Sequence, residues 1–150
     1  MACIINNQNC DYPNKNLSGV GIVYKFCAYV DSIINEHYAD ELLDLVAMGI
    51  IADMIDLRNT ETREIINLGT SVLYNPFLMH FADKQSYSLK GSITPIGISF
   101  YIAPYINAVI RVGTQEEKII LFESMLEFLA YNEVPSTKRG CQGQNETLVE

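Results

Sequence analysis

Between Leu43 and Leu57 the chain reads Leu-Asp-Leu-Val-Ala-Met-Gly-Ile-Ile-Ala-Asp-Met-Ile-Asp-Leu, and only Asp44, Asp53 and Asp56 are polar. A helix with so little polar surface has to be buried on most of its circumference, so the remaining elements must pack round it. At roughly 100° per residue, Asp53 and Asp56 fall on one side and Asp44 about opposite Asp53. Asp44 is early enough to serve the positive helix N-terminus. Asp53 is not, and a carboxylate on a buried helix needs a metal, another cation or several donors. From periodicity alone, the default for Asp53 is a structural hydrogen bond to a neighbouring loop.

With 150 residues, 49% of them hydrophobic, the chain can fill one ordinary core. The longest apolar run, residues 45–52 counting Gly49, is far short of a membrane span, and no membrane association is expected. No basic segment with a following apolar stretch opens the chain, so no secretory signal is expected. Cys3, Cys10, Cys27 and Cys141 lack the short paired spacings of a zinc site; reduced thiols in a cytoplasmic setting are the simplest expectation. A net charge of −8 argues against broad DNA binding through a basic face. It leaves room for a nuclease whose metal ions and a small basic strip carry the phosphate contacts.

Residues 1–17 read as a short strand around Cys3-Ile4-Ile5 and a polar loop. Ser18 is placed to cap a helix over about 19–34, with Val20, Val23, Tyr24, Cys27, Val30 and Ile34 on one face. Gly19 and Gly21 fall in its first turn, where glycine is costly unless a phosphate or a neighbouring element approaches the backbone; packing is the default. Asn59 or Thr60 caps a helix to about residue 74, in which Arg63 either pairs with an acidic group or is solvated. Asn75-Pro76 ends that helix, and 77–81 reads as a short apolar turn. Thr94-Pro95 favours a brief helix while 98–102 alternates like a strand, and the sequence does not separate the two. Thr114-Gln115-Glu116-Glu117 is a capping box for a helix to about residue 131. Ile119, Phe122, Leu126 and Leu129 mark its core stripe, widened by Leu121, Met125 and Phe128. Residues 135–140 read as a basic, flexible loop in which Lys138 and Arg139 are ordinarily solvated.

Three stretches, in order, resemble the RecJ-type single-stranded-DNA-specific exonucleases of the DHH phosphoesterase superfamily. Tyr12-Pro13-Asn14-Lys15-Asn16-Leu17-Ser18-Gly19-Val20-Gly21-Ile22-Val23-Tyr24-Lys25-Phe26 is similar to that family's Y-P-F-K-x-L-A-G-V-G-V-A-F-K-L. Residues 44–57 are similar to D-L-V-A-L-G-T-I-A-D-V-V-P-L, with Asp56 in place of the proline. Residues 100–111 are similar to F-x-I-A-P-R-I-N-A-A-G-R, with Tyr105 for the first arginine and Ile110 for the glycine. A weaker likeness, to G-E-N-R-x-L-V-x-x-G-L, covers the helix holding Arg63 and Gly69.

The resemblance implies an α/β chain, mainly helical. Residues 1–58 are the C-terminal part of a DHH phosphoesterase domain, 59–74 a connecting helix, and 75–150 the beginning of a substrate-binding C-terminal domain. It implies that Asp53 is a catalytic residue through its role as ligand to Mn²⁺ or Mg²⁺ in a two-metal site. It implies too that Asn107 and Arg111 hold single-stranded DNA, with Gly19, Gly21, Lys138 and Arg139 as further nucleic-acid contacts. The activity implied is 5′-to-3′ hydrolysis of single-stranded DNA in repair or recombination. The family's D-x-D and D-H-H motifs do not occur in this sequence. One aspartate cannot position two metals. The chain is therefore expected to be an interior piece, inactive alone and partnered by the missing N-terminal part. The alternatives are a superfamily phosphodiesterase acting on short oligoribonucleotides or cyclic dinucleotides, and a non-catalytic DHH-like interaction protein.

Overall fold

A computed structural model describes residues 4–150, which are mainly helical, at 58% helix. In chain order the helices are α1 (Gly19–Ile34), α2 (Leu43–Ala52) after a 3-10 turn at Asp40–Leu42, α3 (Thr60–Ser71) and α4 (Pro76–Lys84). Then come α5 (Ser86–Leu89), α6 (Pro95–Tyr101), α7 (Ala103–Val112), α8 (Gln115–Ser124) and α9 (Glu127–Ala130). Strands β1 (Glu133–Pro135) and β2 (Asn145–Thr147) pair antiparallel, Val134 opposite Glu146, and are the extent of β-structure among the described residues. The parallel sheet of an α/β fold is thus not found in this segment. Ile4 and Ile5 form no strand, and Cys3 lies outside the described residues.

Helix starts follow local chemistry. The side chains of Ser18, Asn59, Asn75, Thr94 and Thr114 each accept a hydrogen bond from an N–H of the first turn. Proline at the first position of α4 and α6 gives up no helical bond. This decides the ambiguity at 94–102 in favour of helix, and it turns the expected loop at 77–81 into α4. At Thr114 both arms of the capping box are made, Glu117 N–H to Thr114 Oγ1 at 3.2 Å and Thr114 N–H to Glu117 Oε2 at 2.7 Å. Pro95–Val112 has the length and mean hydropathy, 1.2, of a membrane span, but it is divided between α6 and α7 at Ile102.

α2 occupies the centre, as its composition requires: Ala47 and Ile50 are fully inaccessible, and α1, α3, α6 and α7 all pack on it. Its apolar cluster joins Leu17, Ile65, Ile66, Phe77, Leu89, Ile98 and Ile106. Gly69 sets the α2–α3 distance. A Cβ there would stand 2.1 Å from the Leu43 carbonyl oxygen and 2.7 Å from Ala47 Cβ, neither of which can swing aside. Gly69→Ala should therefore cost about 3 kcal/mol, at the upper end of overpacking penalties. Urea denaturation checks this; a loss under about 1 kcal/mol would show that α2 and α3 separate easily.

Several faces differ from expectation. Val23, Val30 and Ile34 of α1 are exposed together with Phe26, Tyr29 and Ile33, while Val20, Gly21, Tyr24 and Asp31 turn inward. Buried Asp31 accepts the Ala39 N–H at 2.7 Å, fixing the loop after α1, so a polar residue defines the inner face. α8 stops at Ser124 rather than 131, and Ile119, Phe122 and Phe128 are exposed, with Leu121 and Met125 packing inward instead. Among the described residues Arg63 meets carbonyls and no acid: its Nη1 donates to Leu57 O at 3.1 Å and Arg58 O at 3.2 Å. The basic stretch 135–140 begins the loop that joins β1 to β2, and there Lys138, expected to be solvated, pairs with Glu146 on β2, Nζ lying 2.5 Å from Oε2.

A polar cluster ties the N-terminal loop to α3. Glu61 takes Tyr12 Oη at 2.5 Å, Lys25 Nζ at 2.9 Å and Asn14 Nδ2 at 3.1 Å, and Asn14 also reaches Thr62 Oγ1 at 3.0 Å. Burial raises the carboxyl's proton affinity, but the hydrogen bonds from Tyr12, Lys25 and Asn14 outweigh it and hold Glu61 below the ordinary value of 4.5. A depressed carboxyl contributes stability above its unfolded value that is lost as pH falls through the folded one. Glu61→Gln should thus flatten the fall in melting temperature between about pH 5 and 3. An unchanged acid slope would assign that fall to other carboxylates.

Candidate functional site

The Asp53 region is built by the way α2 ends. The helix closes at Ala52, with Asp53 as C-cap and Met54 in the left-handed region at φ 52°. Met54 N–H reaches the Ile51 carbonyl at 3.0 Å and Ile55 N–H the Ile50 carbonyl at 3.5 Å, while Ile55 packs against the core. These are the two bonds and the apolar contact of a Schellman stop. The helix therefore does not run on to Leu57, and Asp53 is exposed rather than buried. Its carboxylate enters no ion pair among the described residues. It also sits at the negative end of the α2 dipole, where a carboxylate is disfavoured and a cation favoured.

The buried carboxylate of this helix is Asp44, 2% exposed. One of its oxygens accepts the Tyr74 N–H at 2.8 Å and the Asn75 N–H at 2.7 Å, at the start of α4. The several donors that a buried helix aspartate demands are supplied here, not at Asp53.

A groove of about 590 Å³ opens beside Asp53. Ala52 and Met54, its two chain neighbours, form one wall; Phe100, Pro104, Asn107 and Arg111 of α6 and α7 form the other. Asn107 and Arg111 are four residues apart and so share a face of α7. The Arg111 guanidinium is exposed and has no carboxylate partner among the described residues. Tyr105, where the family has an arginine, instead packs edge-on against Phe81, centroids 5.9 Å apart. On the other side of Met54 a shallower depression is lined by Gln8, Lys15, Asn16 and Asp56. Asp56 is clamped by the Arg58 side chain at 2.5 Å and by its backbone N–H at 2.9 Å, and these bonds hold its carboxyl at about 2.

The structure thus places Asn107 and Arg111 in one groove, while Asp53 lies between two residues that line it, Ala52 and Met54, and is not itself part of the lining. Lys138 and Arg139 lie on the hairpin and do not line it, and the Glu146 carboxylate bonded to Lys138 raises the lysine's proton affinity. Gly21 is explained by packing, since a Cβ would meet Leu17 at 2.7 Å, whereas Gly19 has open space around it. His37 is exposed beside Asp40, His80 belongs to α4, and neither lines the groove. Among the described residues no three His, Cys, Asp or Glu side chains converge as a metal site. Sequence reasoning did not single out Met54 or Phe100 as site residues. Phe100 opens the third stretch of resemblance, but nothing in the sequence announces the left-handed backbone at Met54.

Comparison with known proteins agrees with the resemblance. YorK of the SPbeta prophage in Bacillus subtilis (strain 168), provisionally named a single-strand DNA-specific exonuclease, is 43% identical over 147 residues, 97% of this chain and 25% of that protein. Its counterpart in Bacillus phage SPbeta gives the same figures. The single-stranded-DNA-specific exonuclease RecJ of Bacillus subtilis (strain 168) is 34% identical over 123 residues, 81% of this chain and 15% of that protein. The chain spans a quarter or less of the length of these relatives. No family model matches it, and no solved structure does. Nearly the whole of this chain is therefore RecJ-like sequence.

Proposed function

We propose that this chain provides one metal ligand and the strand-holding face of a metal-dependent 5′-to-3′ exonuclease acting on single-stranded DNA, in repair or recombination. The observation that carries the reading is a groove lined by Asn107 and Arg111 whose other lining residues include Ala52 and Met54, the chain neighbours of the exposed Asp53, in a chain whose relatives are named for that activity. Asp53 fits a divalent cation in being exposed, anionic and at a helix C-terminus. It is one ligand only, so the remaining carboxylates and imidazoles have to come from outside this segment. When bound, Mn²⁺ or Mg²⁺ activates water and offsets charge building on the phosphoryl oxygens. Arg111 offers its planar fork to a phosphate, and Asn107 a donor and an acceptor beside it. The exposed apolar stripe of α1 suits packing against the remainder of a RecJ-like phosphoesterase domain. In that arrangement 1–58 completes the domain, 59–74 links it onward, and 75–150 begins the substrate-binding domain. Among the described residues Cys10, Cys27 and Cys141 form no disulfide, which suits the cytoplasm.

The 150-residue chain alone should release no nucleotides from 3′-labelled single-stranded DNA in Mn²⁺, because one carboxylate cannot position the metals. Turnover above a metal-free control, lost on Asp53→Ala in the same preparation, would contradict this. A non-catalytic, RecJ-like interaction protein is the second reading, favoured by the lack of converging ligands among the described residues. It requires that addition of the missing motifs restore nothing.

A further inference from the structure

We propose that Met54 and Phe100 clamp a nucleobase between the two walls of the groove, so that the site reads single-stranded nucleic acid through stacked bases as well as through phosphate. This rests on the reading that the groove holds a strand. Met54 is 88% exposed and Phe100 69%, and both line the groove that contains Arg111 and Asn107. Singly, an exposed apolar side chain needs no explanation. These two differ by position and by conformation. Met54 occupies the left-handed C′ position of a Schellman stop, where glycine or asparagine is usual and any other residue is strained by about 1–2 kcal/mol. Glycine would end the helix there without that strain but would place no side chain on the wall. Strain of this kind collects at ligand clamps.

The ligand follows from the mixture of chemistries. A nucleobase has two apolar faces, a polar edge and, one bond system away, an anionic phosphate. The groove offers a polarisable thioether and an aromatic ring for the faces, an amide for the edge and, for the phosphate, a guanidinium with no carboxylate partner among the described residues. An apolar peptide would leave Arg111 without a partner, and a free phosphate would leave both walls unused. In a chain of net charge −8, stacking also supplies affinity that electrostatics cannot.

The test is fluorescence anisotropy at low salt with a labelled 15-mer of deoxyuridylate, the same length of uridylate, and an abasic oligomer carrying phosphates without bases. The wild-type chain is expected to bind a base-carrying oligomer at least about tenfold tighter than the abasic one, the low end of base–aromatic stacking; the stronger of the two identifies the sugar. Phe100→Ala should bring that ratio close to one, and Phe100→Trp should keep it. Met54→Gly should reduce it without lowering the melting temperature, which separates a clamp from a structural role. Arg111→Ala should weaken all three ligands alike. Equal binding of all three ligands by wild type, unchanged by Phe100→Ala but weakened by Arg111→Ala, would overturn the clamp and leave the strand-binding reading intact. Binding of none of them by wild type would overturn both.

Discussion

Asp44→Ala is expected to destabilise the chain by about 4 kcal/mol, more than any other single truncation of a polar side chain here. Asp44 is inaccessible, and one carboxylate oxygen takes two backbone N–H groups, those of Tyr74 and Asn75. Alanine leaves the buried Asn75 N–H and the half-buried Tyr74 N–H without an acceptor, at about 1–3 kcal/mol for a fully buried donor, and opens a void next to Met48, Leu73 and Ile98. The loss is also topological. Asn75 caps α4 through Phe77 N–H at 3.1 Å and donates its own amide to the Met125 carbonyl at 2.9 Å, so Asp44 fixes α4 to α2 and, through Asn75, to the end of α8. Asp44→Asn should cost only about half as much, because the amide oxygen still accepts while the new NH₂ finds no evident acceptor. Urea denaturation of the three proteins decides it: equal stability of the alanine variant and wild type would mean that water reaches Tyr74 and Asn75.

Much of this architecture was legible in the residues because it is written in local chemistry. Ser18, Asn59 and the Thr114–Glu117 box announce helix starts whatever surrounds them. The central place of α2 followed from its near-total apolarity. Its end did not, because the Schellman stop uses Met54 where the readable signal would be glycine, and so Asp53 was expected on a buried helix. The inner faces of α1 and α8 were misjudged for a common reason. Apolar periodicity marks a face that will be covered by something, and here Val23, Val30, Phe122 and Phe128 remain exposed while Asp31 and Ser124 are buried. Of the site, Asp53, Asn107 and Arg111 were legible only through resemblance. That Asn107 and Arg111 share a groove with Ala52 and Met54 depends on how α7 packs against the end of α2, a tertiary fact with no local signal.

Asp53→Asn carries the largest functional effect expected. The amide keeps the side chain's shape but removes the charge that balances a cation. Because Asp53 is exposed and paired with nothing among the described residues, the fold should survive or gain a few tenths of a kcal/mol from relief of the helix dipole. The measurement that bears most directly on the proposed role is made in a chimera, with this chain replacing the 147-residue matching segment of YorK. Release of nucleotides from the 5′ end of 3′-labelled single-stranded DNA is followed against Mn²⁺ concentration, with unaltered YorK as reference. The account predicts hydrolysis by the chimera, a loss of roughly a thousandfold on Asp53→Asn (about 4 kcal/mol of transition-state stabilisation), and residual activity that needs more Mn²⁺ at unchanged melting temperature. An Asp53→Asn chimera that keeps substantial rate with the same Mn²⁺ midpoint would contradict it.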